Sequence, residues 1–260
     1  MSQFFDSNIF YSLVAGLSTA VAAGFLGVFM IMKRLSLVSD ALSHVALPGI
    51  ALALIFHLNP FIGAFALLLL AAFLIAGIEK RTNLPVDAIV GVLFSASLAA
   101  GILLTPEPEL LEALFGNLTK ITPLEAWITM TISLVVVVAT ILISRQLMFS
   151  IAAPDLGHTS KLHTKTANLL FLIMLALIVA LGIKFVGTLL MGTLTIIPAA
   201  SAKNIAKNLY SFGIISMTFG ALSVILGMVA VYLWSIAAGP AVIIASAFIF
   251  LVTLLARRPA

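Results

Sequence analysis

Two ionisable side chains, Asp40 and His44, lie four residues apart in an apolar stretch long enough to cross a bilayer. On an α-helix this spacing stacks both side chains on one face, about one turn apart, so one divalent cation could contact both. Ionisable groups inside a membrane are costly and commonly mark an ion or substrate path. The pair therefore predicts a cation site, although a buried Asp–His hydrogen bond that only holds helices together has the same spacing.

The depth of the pair supports the cation site. If the stretch begins at the inner membrane surface after Lys33 and Arg34, a rise of about 1.5 Å per residue places Asp40 about 10 Å deep and His44 about 15 Å deep. That is near the midplane, where transporters commonly hold their substrate.

The donor atoms restrict which ion could bind. One carboxylate and one imidazole suit a hard-to-borderline divalent ion and accommodate zinc, manganese and iron alike. Our expectation is zinc first and manganese second. The chain has no cysteine, so any further ligand must be imidazole, carboxylate, backbone oxygen or water. Two side chains leave the ion incompletely coordinated. We therefore expect a transported ion held transiently and no permanently bound cofactor.

Composition predicts the class of protein that contains this pair. Hydrophobic residues make up 63% of the chain, charged residues make up 8%, and the mean hydropathy is +1.28. A soluble domain has about a quarter charged residues, so residues 1–260 are predicted to form a single, all-α, polytopic transmembrane domain. The cations that give the net charge of +4 stand in short clusters between apolar runs. They indicate topology, and no nucleic-acid partner is expected.

The apolar stretches predict how often the chain crosses the membrane. Nine candidates lie near 9–32, 36–57, 61–78, 87–104, 123–144, 167–183, 185–202, 209–234 and 240–256. The break at Lys184 is the weakest point, because a broken or re-entrant segment is compatible with the residues Gly182, Gly187, Gly192 and Pro198. The sequence therefore predicts eight to nine transmembrane helices.

The cations also predict the orientation. With nine spans and a cytoplasmic C-terminus, only Lys120 and Lys184 lie outside, and the cytoplasmic cations are Lys33, Arg34, Lys80, Arg81, Arg145, Lys161, Lys165, Lys203, Lys207, Arg257 and Arg258. The opposite orientation would place these eleven on the wrong side of the membrane. The positive-inside rule therefore predicts an external N-terminus and a cytoplasmic C-terminus.

Two loops are long enough to have a role. The external loop, about 105–122, carries Glu107, Glu109 and Glu112, which form either an acidic mouth that attracts cations or a solvated turn. The internal loop, about 145–166, is the one cytoplasmic segment large enough to dock another protein.

Proline and glycine residues suggest hinges near the pair. Pro48 and Gly49 follow His44 by one turn, and Pro198 lies in the seventh candidate span. Proline removes a backbone donor and permits a kink, so these residues are hinge candidates. Static packing is the alternative, because both residue types are common in membrane helices.

Two enzymatic motifs are absent from the sequence. There is no Gly-x-x-x-x-Gly-Lys-Ser/Thr phosphate loop and no His-Glu-x-x-His zinc-protease motif. We therefore predict a transporter subunit that is not itself an enzyme and takes its energy from elsewhere. The alternatives are an ATP-independent secondary carrier or channel, and a structural or enzymatic membrane protein in which Asp40 and His44 form a proton pair.

Several segments resemble the zinc/manganese permease family, the membrane subunits of ATP-binding-cassette metal importers. The most specific are SLVSDALSHVALPGIA at 36–51 and VGTLLMGTLTIIPAASA at 186–202. DAIVGVLFSASLA at 87–99, LFGNL at 114–118 and the pair Gly239-Pro240 add to the match. The resemblance covers nearly the whole chain.

The resemblance implies a type II ABC importer-like permease in a bacterial plasma membrane. The permease would be a homodimer on two cytoplasmic ATPase subunits, surrounded by lipid and supplied by an extracytoplasmic metal-binding protein. Asp40 and His44 match the family's intramembrane metal ligands. Pro154, Asp155, Leu156 and Gly157 fall where the family couples to its ATPase. The His-Thr-Ser-Lys that follows Gly157 departs from the family's more acidic pattern.

Overall fold

A computed structural model of the chain describes residues 7–82, 84–105, 107–116, 121–152, 164–234 and 236–256, and in these ranges the protein forms helices and no strands. The ten helices are α1 (Ser7–Met32), α2 (Ser36–Ile55), α3 (Pro60–Arg81), α4 (Val86–Leu104), α5 (Glu107–Phe115), α6 (Pro123–Ala152), α7 (Thr164–Val186), α8 (Thr188–Ile205), α9 (Leu209–Trp234) and α10 (Ala238–Leu255).

Eight of the described helices are long and apolar enough to cross a membrane, which confirms the prediction of an all-α polytopic membrane protein. The exceptions are α5, which has only 9 residues, and α8. Helix α8 has 18 residues and is less apolar, because it carries four hydroxyl side chains together with Lys203 and Asn204.

Contacts along α8 show that it packs against other long helices from its start to its end. Near its start, Met191 contacts Gly182 of α7, and one to two turns later Thr195 and Ala199 pack on Gly27 of α1. Near its end, the Asn204 side-chain amide donates a hydrogen bond of 3.2 Å to the Thr253 hydroxyl of α10. The described residues thus contain eight candidate spans and one further long helix, α8, packed among them, which agrees with the predicted eight to nine transmembrane helices.

The boundary between the sixth and seventh spans is predicted at Lys184, which is three residues before the observed turn at Gly187. Helix α7 continues to Val186, and the chain turns at Gly187, whose φ of 89° is readily adopted only by glycine. Lys184 is helical, in the last turn of α7, and its ammonium group pairs with the Glu125 carboxylate of α6 at 2.6 Å. The glycine, not the charge, ends the helix.

The bundle has a buried centre and an apolar periphery. In α2 and in α7, 72% of the apolar, membrane-length stretch is buried inside the bundle. The buried share is 17% in α4 and 28% in α3, α6 and α9. The peripheral helices expose large apolar side chains such as Leu103, Leu142 and Phe248. Such surfaces suit contact with lipid tails. The helix that carries Asp40 and His44 is therefore among the most enclosed.

Candidate metal site

A tight turn fixes the start of α2 beside the end of α1. The backbone N–H of Leu35 donates to the Met30 carbonyl at 2.9 Å, and Arg34 has a left-handed φ of 59°. Only Lys33, Arg34 and Leu35 separate the two helices. This geometry resembles the usual glycine-type ending of a helix, and it leaves α2 little freedom to move independently of the end of α1.

Asp40 lies half-buried in the second turn of α2, against α8. The contact is at Gly192, where an added β-carbon would lie 2.5 Å from the Asp40 Cα and 2.8 Å from its Oδ1 atom. Both distances are too short for any side chain, so glycine is required at this crossing. The absence of a side chain on α8 therefore makes the space that the Asp40 carboxylate occupies.

His44 lies one turn further along α2 and is only 5% exposed. Its ring packs against the Phe94 ring of α4 in a T-shaped arrangement, with centroids 4.9 Å apart and an interplanar angle of 89°. Its Nδ1 atom is buried and has no hydrogen-bond partner among the described residues. An unsatisfied buried polar atom costs about 1–3 kcal/mol, a cost that a bound ligand would remove.

The two side chains share one environment, as their spacing predicts. The Asp40 carboxylate is close enough to interact electrostatically with the His44 ring. A neutral imidazole and a carboxylate are suitable ligands for zinc or manganese. In the described part of the chain, however, no group of three or more histidine, cysteine, aspartate or glutamate side chains could hold a metal. Further ligands must come from water, backbone oxygen, a second copy or undescribed residues.

Sequence reasoning missed three neighbours of the pair. Gly192 and Phe94 contact Asp40 and His44, and the Ser39 hydroxyl is buried without a described partner one residue before Asp40. Gly192 is part of the segment 186–202, but no pattern in the sequence relates it to Asp40. The contact arises because two helices distant in the chain cross at that point.

The hinge candidates lie in uninterrupted helices. Helix α2 continues through Pro48, whose ring lies 3.4 Å from the β-position of Gly101 on α4, and α8 continues through Pro198. Gly49 packs against the backbone of Gly63 on α3. These contacts explain the small residues by close packing, and a hinge role stays a prediction.

The proposed coupling residues 154–157 lie outside the described residues, between the end of α6 at Ala152 and the start of α7 at Thr164. The three glutamates of the predicted acidic mouth are on α5, but their side chains are likewise outside the described part of the structure. Both interpretations stay predictions.

Known proteins resemble the chain over nearly its whole length. Residues 6–257 match the ABC 3 transport family. The manganese import system permease protein ScaB of Streptococcus gordonii is 33% identical over 246 residues, which are 93% of this chain and 88% of ScaB. The high-affinity zinc uptake system membrane protein ZnuB of Haemophilus influenzae is 31% identical over 256 residues, covering 96% of this chain and 98% of ZnuB.

A solved structure agrees with the fold. PsaBC from Streptococcus pneumoniae, determined in complex with Fab, superimposes with a TM-score of 0.83 at 31% identity, over 93% of this chain and 89% of the matched chain. The resemblance inferred from residues 36–51 and 186–202 is thereby confirmed at the level of the family. The chain belongs to the ABC 3 transport family.

Proposed function

We propose that this protein is the permease subunit of an ATP-binding-cassette importer that moves a divalent metal ion, zinc or manganese, into the cytoplasm. The observation that carries the proposal is the buried, unpartnered Nδ1 atom of His44 beside the Asp40 carboxylate, within one of the most enclosed helices. Relatives are named for manganese and for zinc, so the uptake measurement below must distinguish the two ions.

The same pair supports transport rather than storage. Two protein ligands, completed by water, hold an ion more weakly than a closed cage of four. An ion must bind well enough to enter and weakly enough to leave. Asp40 and His44 would therefore receive the ion from the external side and release it when the surrounding helices rearrange.

The chain would work within a larger assembly. No phosphate loop occurs in its sequence, so ATP hydrolysis is assigned to separate cytoplasmic subunits that engage residues 154–157. A metal-binding protein would deliver the ion at the outer surface of the bacterial plasma membrane. Two permease copies would form the path. In the predicted orientation, the N-terminus is external and the turn around Lys33 faces the cytoplasm.

Metal uptake into proteoliposomes tests the proposal. The vesicles would contain this chain with its ATPase and binding protein, and zinc and manganese would be measured separately. We expect uptake that requires ATP and is lost in His44→Ala. The matched control is His57→Ala, because His57 is exposed just beyond the end of α2. ATP-independent uptake would instead support a secondary carrier, and unchanged uptake by His44→Ala would overturn the ligand assignment.

A further inference from the structure

A cavity of about 570 Å³ lies at the end of the bundle where α1 meets α2. It contains a lysine that is not part of the proposed metal site. Lys33, at the end of α1, is partly buried in it, and Ser150 of α6 and Asn168 and Phe171 of α7 also line it. Residues of α3 and α4, among them Glu79, complete the lining, so several helices meet at this cavity.

The Lys33 ammonium makes two contacts with α7, and it also interacts electrostatically with the Glu79 carboxylate of α3. It donates a hydrogen bond to Oδ1 of Asn168, and it lies 5.4 Å from the centroid of the Phe171 ring. Asn168 and Phe171 are three residues apart and thus on one face of α7. An amide oxygen and an aromatic face are both favourable partners for a cation. Lys33 thus holds the end of α1 against the first turns of α7.

A rigid connection continues from Lys33 to the metal pair. The Lys33 and Leu35 amides donate to the Phe29 and Met30 carbonyls, each at 2.9 Å, so the turn into α2 is firmly bonded to α1. Asp40 follows in the second turn of α2. Any shift of Lys33 must therefore shift the start of the helix that carries Asp40 and His44.

On its other side, Asn168 lies close to the chain that leads into residues 153–163. The Ser150 hydroxyl is 3.2 Å from Asn168 Oδ1 and 2.7 Å from the Leu147 carbonyl, so its single proton is shared between two acceptors. Ser150 is in the last turn of α6, and Asn168 is in the second turn of α7. The two residues flank the segment that contains the proposed ATPase-coupling residues.

We propose that the contact between Lys33 and Asn168 is the mechanical link between segment 153–163 and the metal pair, with both side chains acting as positioning residues for transport. Movement of the first turns of α7 is passed through Asn168 to Lys33, and through the rigid turn to α2. The inference rests on the proposed function, because it requires that an ATPase acts on that segment.

The test uses the complete transporter in proteoliposomes and measures metal imported per ATP hydrolysed. The variant is the double substitution Lys33→Met with Asn168→Leu. Replacing both partners with apolar groups of similar shape leaves no buried charge unpaired, so the protein should still fold. We expect ATP hydrolysis to continue while metal imported per ATP falls at least about five-fold, as typical coupling energies imply.

Two controls separate this link from general effects. Lys203→Met removes an exposed cation from the last turn of α8, outside the proposed link, and should leave the ratio unchanged. Lys33→Arg keeps a cation for both Asn168 and Phe171, so it should retain most of the wild-type ratio of metal imported per ATP hydrolysed.

A double variant that imports as much metal per ATP as the wild type would overturn the link and leave the proposed function intact. A wild-type complex that hydrolyses ATP and moves neither zinc nor manganese would overturn the proposed function, and the link with it.

Discussion

Two buried ionisable groups in this protein differ in how completely they are bonded. The His44 ring is 5% exposed and its Nδ1 atom has no described partner, whereas the partly buried Lys33 ammonium has both a hydrogen-bond acceptor and an aromatic face. Burial is costly for both groups. The unsatisfied group is suited to a transient ligand, and the satisfied group is suited to holding helices together.

The two groups also differ in the side chains that contact them. Asp40 and His44 are enclosed by Gly192 and Phe94, which supply space and an apolar wall. Lys33 donates to Asn168, which also accepts from the Ser150 hydroxyl, and the Glu79 carboxylate lines the same cavity. The Lys33 ammonium already has a hydrogen-bond acceptor and an aromatic face, and it is itself a cation that would repel a metal ion. For this reason our proposal places the ion at the pair on α2 and not in the cavity beside Lys33.

The largest difference between the effect on stability and the effect on uptake is expected for His44→Leu. Leucine fills a similar volume and removes the unpartnered nitrogen, so the protein should be more stable by about 1 kcal/mol or unchanged. At the same time, uptake of zinc or manganese should be abolished. Thermal unfolding in detergent and uptake in proteoliposomes measure the two effects. A marked loss of stability would instead indicate that Nδ1 has a structural partner, and would break the comparison.

Gly192→Ala tests whether the space beside Asp40 is essential. The new methyl group would lie 2.5 Å from the Asp40 Cα, so α2 and α8 must move apart. Overpacking of this kind costs about 1–3 kcal/mol, and displacement of the carboxylate should reduce uptake about ten-fold or more.

Gly77→Ala is the matched control for Gly192→Ala, because nothing lies within 4 Å of a β-carbon at Gly77 of α3. It should keep full uptake and equal or higher stability, since alanine favours helix more than glycine does. Equal uptake by the two variants would show that the contact between α2 and α8 does not position Asp40.

The sequence predicted the helices well because each depends on local composition. Apolar runs of membrane length mark the long helices, and cations lie at or just after the ends of α1, α3 and α8. The spacing of Asp40 and His44 places them on one helical face.

The predicted end of the fifth span at 144 was wrong by eight residues, because α6 continues through Arg145 to Ala152. The turn at Gly187 was misplaced to Lys184, because a charge at the end of an apolar run resembles a boundary although Lys184 is still helical and pairs with Glu125 on the surface of the bundle.

Contacts between distant helices could not be predicted in this way. Gly192 meets Asp40, and Asn168 meets Lys33, although they are 152 and 135 residues apart in the chain. Neither contact has a periodicity or motif, because each depends on how whole helices cross. Lys33 in particular was interpreted only as a topology signal, and its partners on α7 were unknown until the helices were packed.

Asn168→Leu alone should have an intermediate effect. It removes the hydrogen-bond acceptor of the Lys33 ammonium and leaves a partly buried donor unsatisfied, which should destabilise the protein by about 1–3 kcal/mol. Adding Lys33→Met to it should recover most of that loss. A double-mutant cycle on thermal unfolding measures the interaction, and additive effects of the two substitutions would mean that the contact contributes nothing to stability.

The smallest effect is expected from pH, and it concerns Lys33 alone. Burial lowers the Lys33 pKa from 10.5 to about 8, and the nearby Glu79 carboxylate opposes that change only in part. Because the folded pKa is below the unfolded one, the unfolded chain binds more protons between pH 8 and 10.5. Stability therefore rises with pH in that window, and the full cost of the buried charge applies below about pH 8.

Comparison with Lys33→Met isolates this contribution, because every other titrating group, including those of Arg34 and Glu79 beside the cavity, is present in both proteins. From pH 8 to pH 9 the wild type should gain on the order of 1 kcal/mol relative to the variant. Thermal unfolding of both proteins at pH 7, 8 and 9 measures the difference. A difference that stays constant over this range would mean that Lys33 is as well solvated as a surface lysine, which would remove the contrast between the satisfied cation and the unsatisfied imidazole.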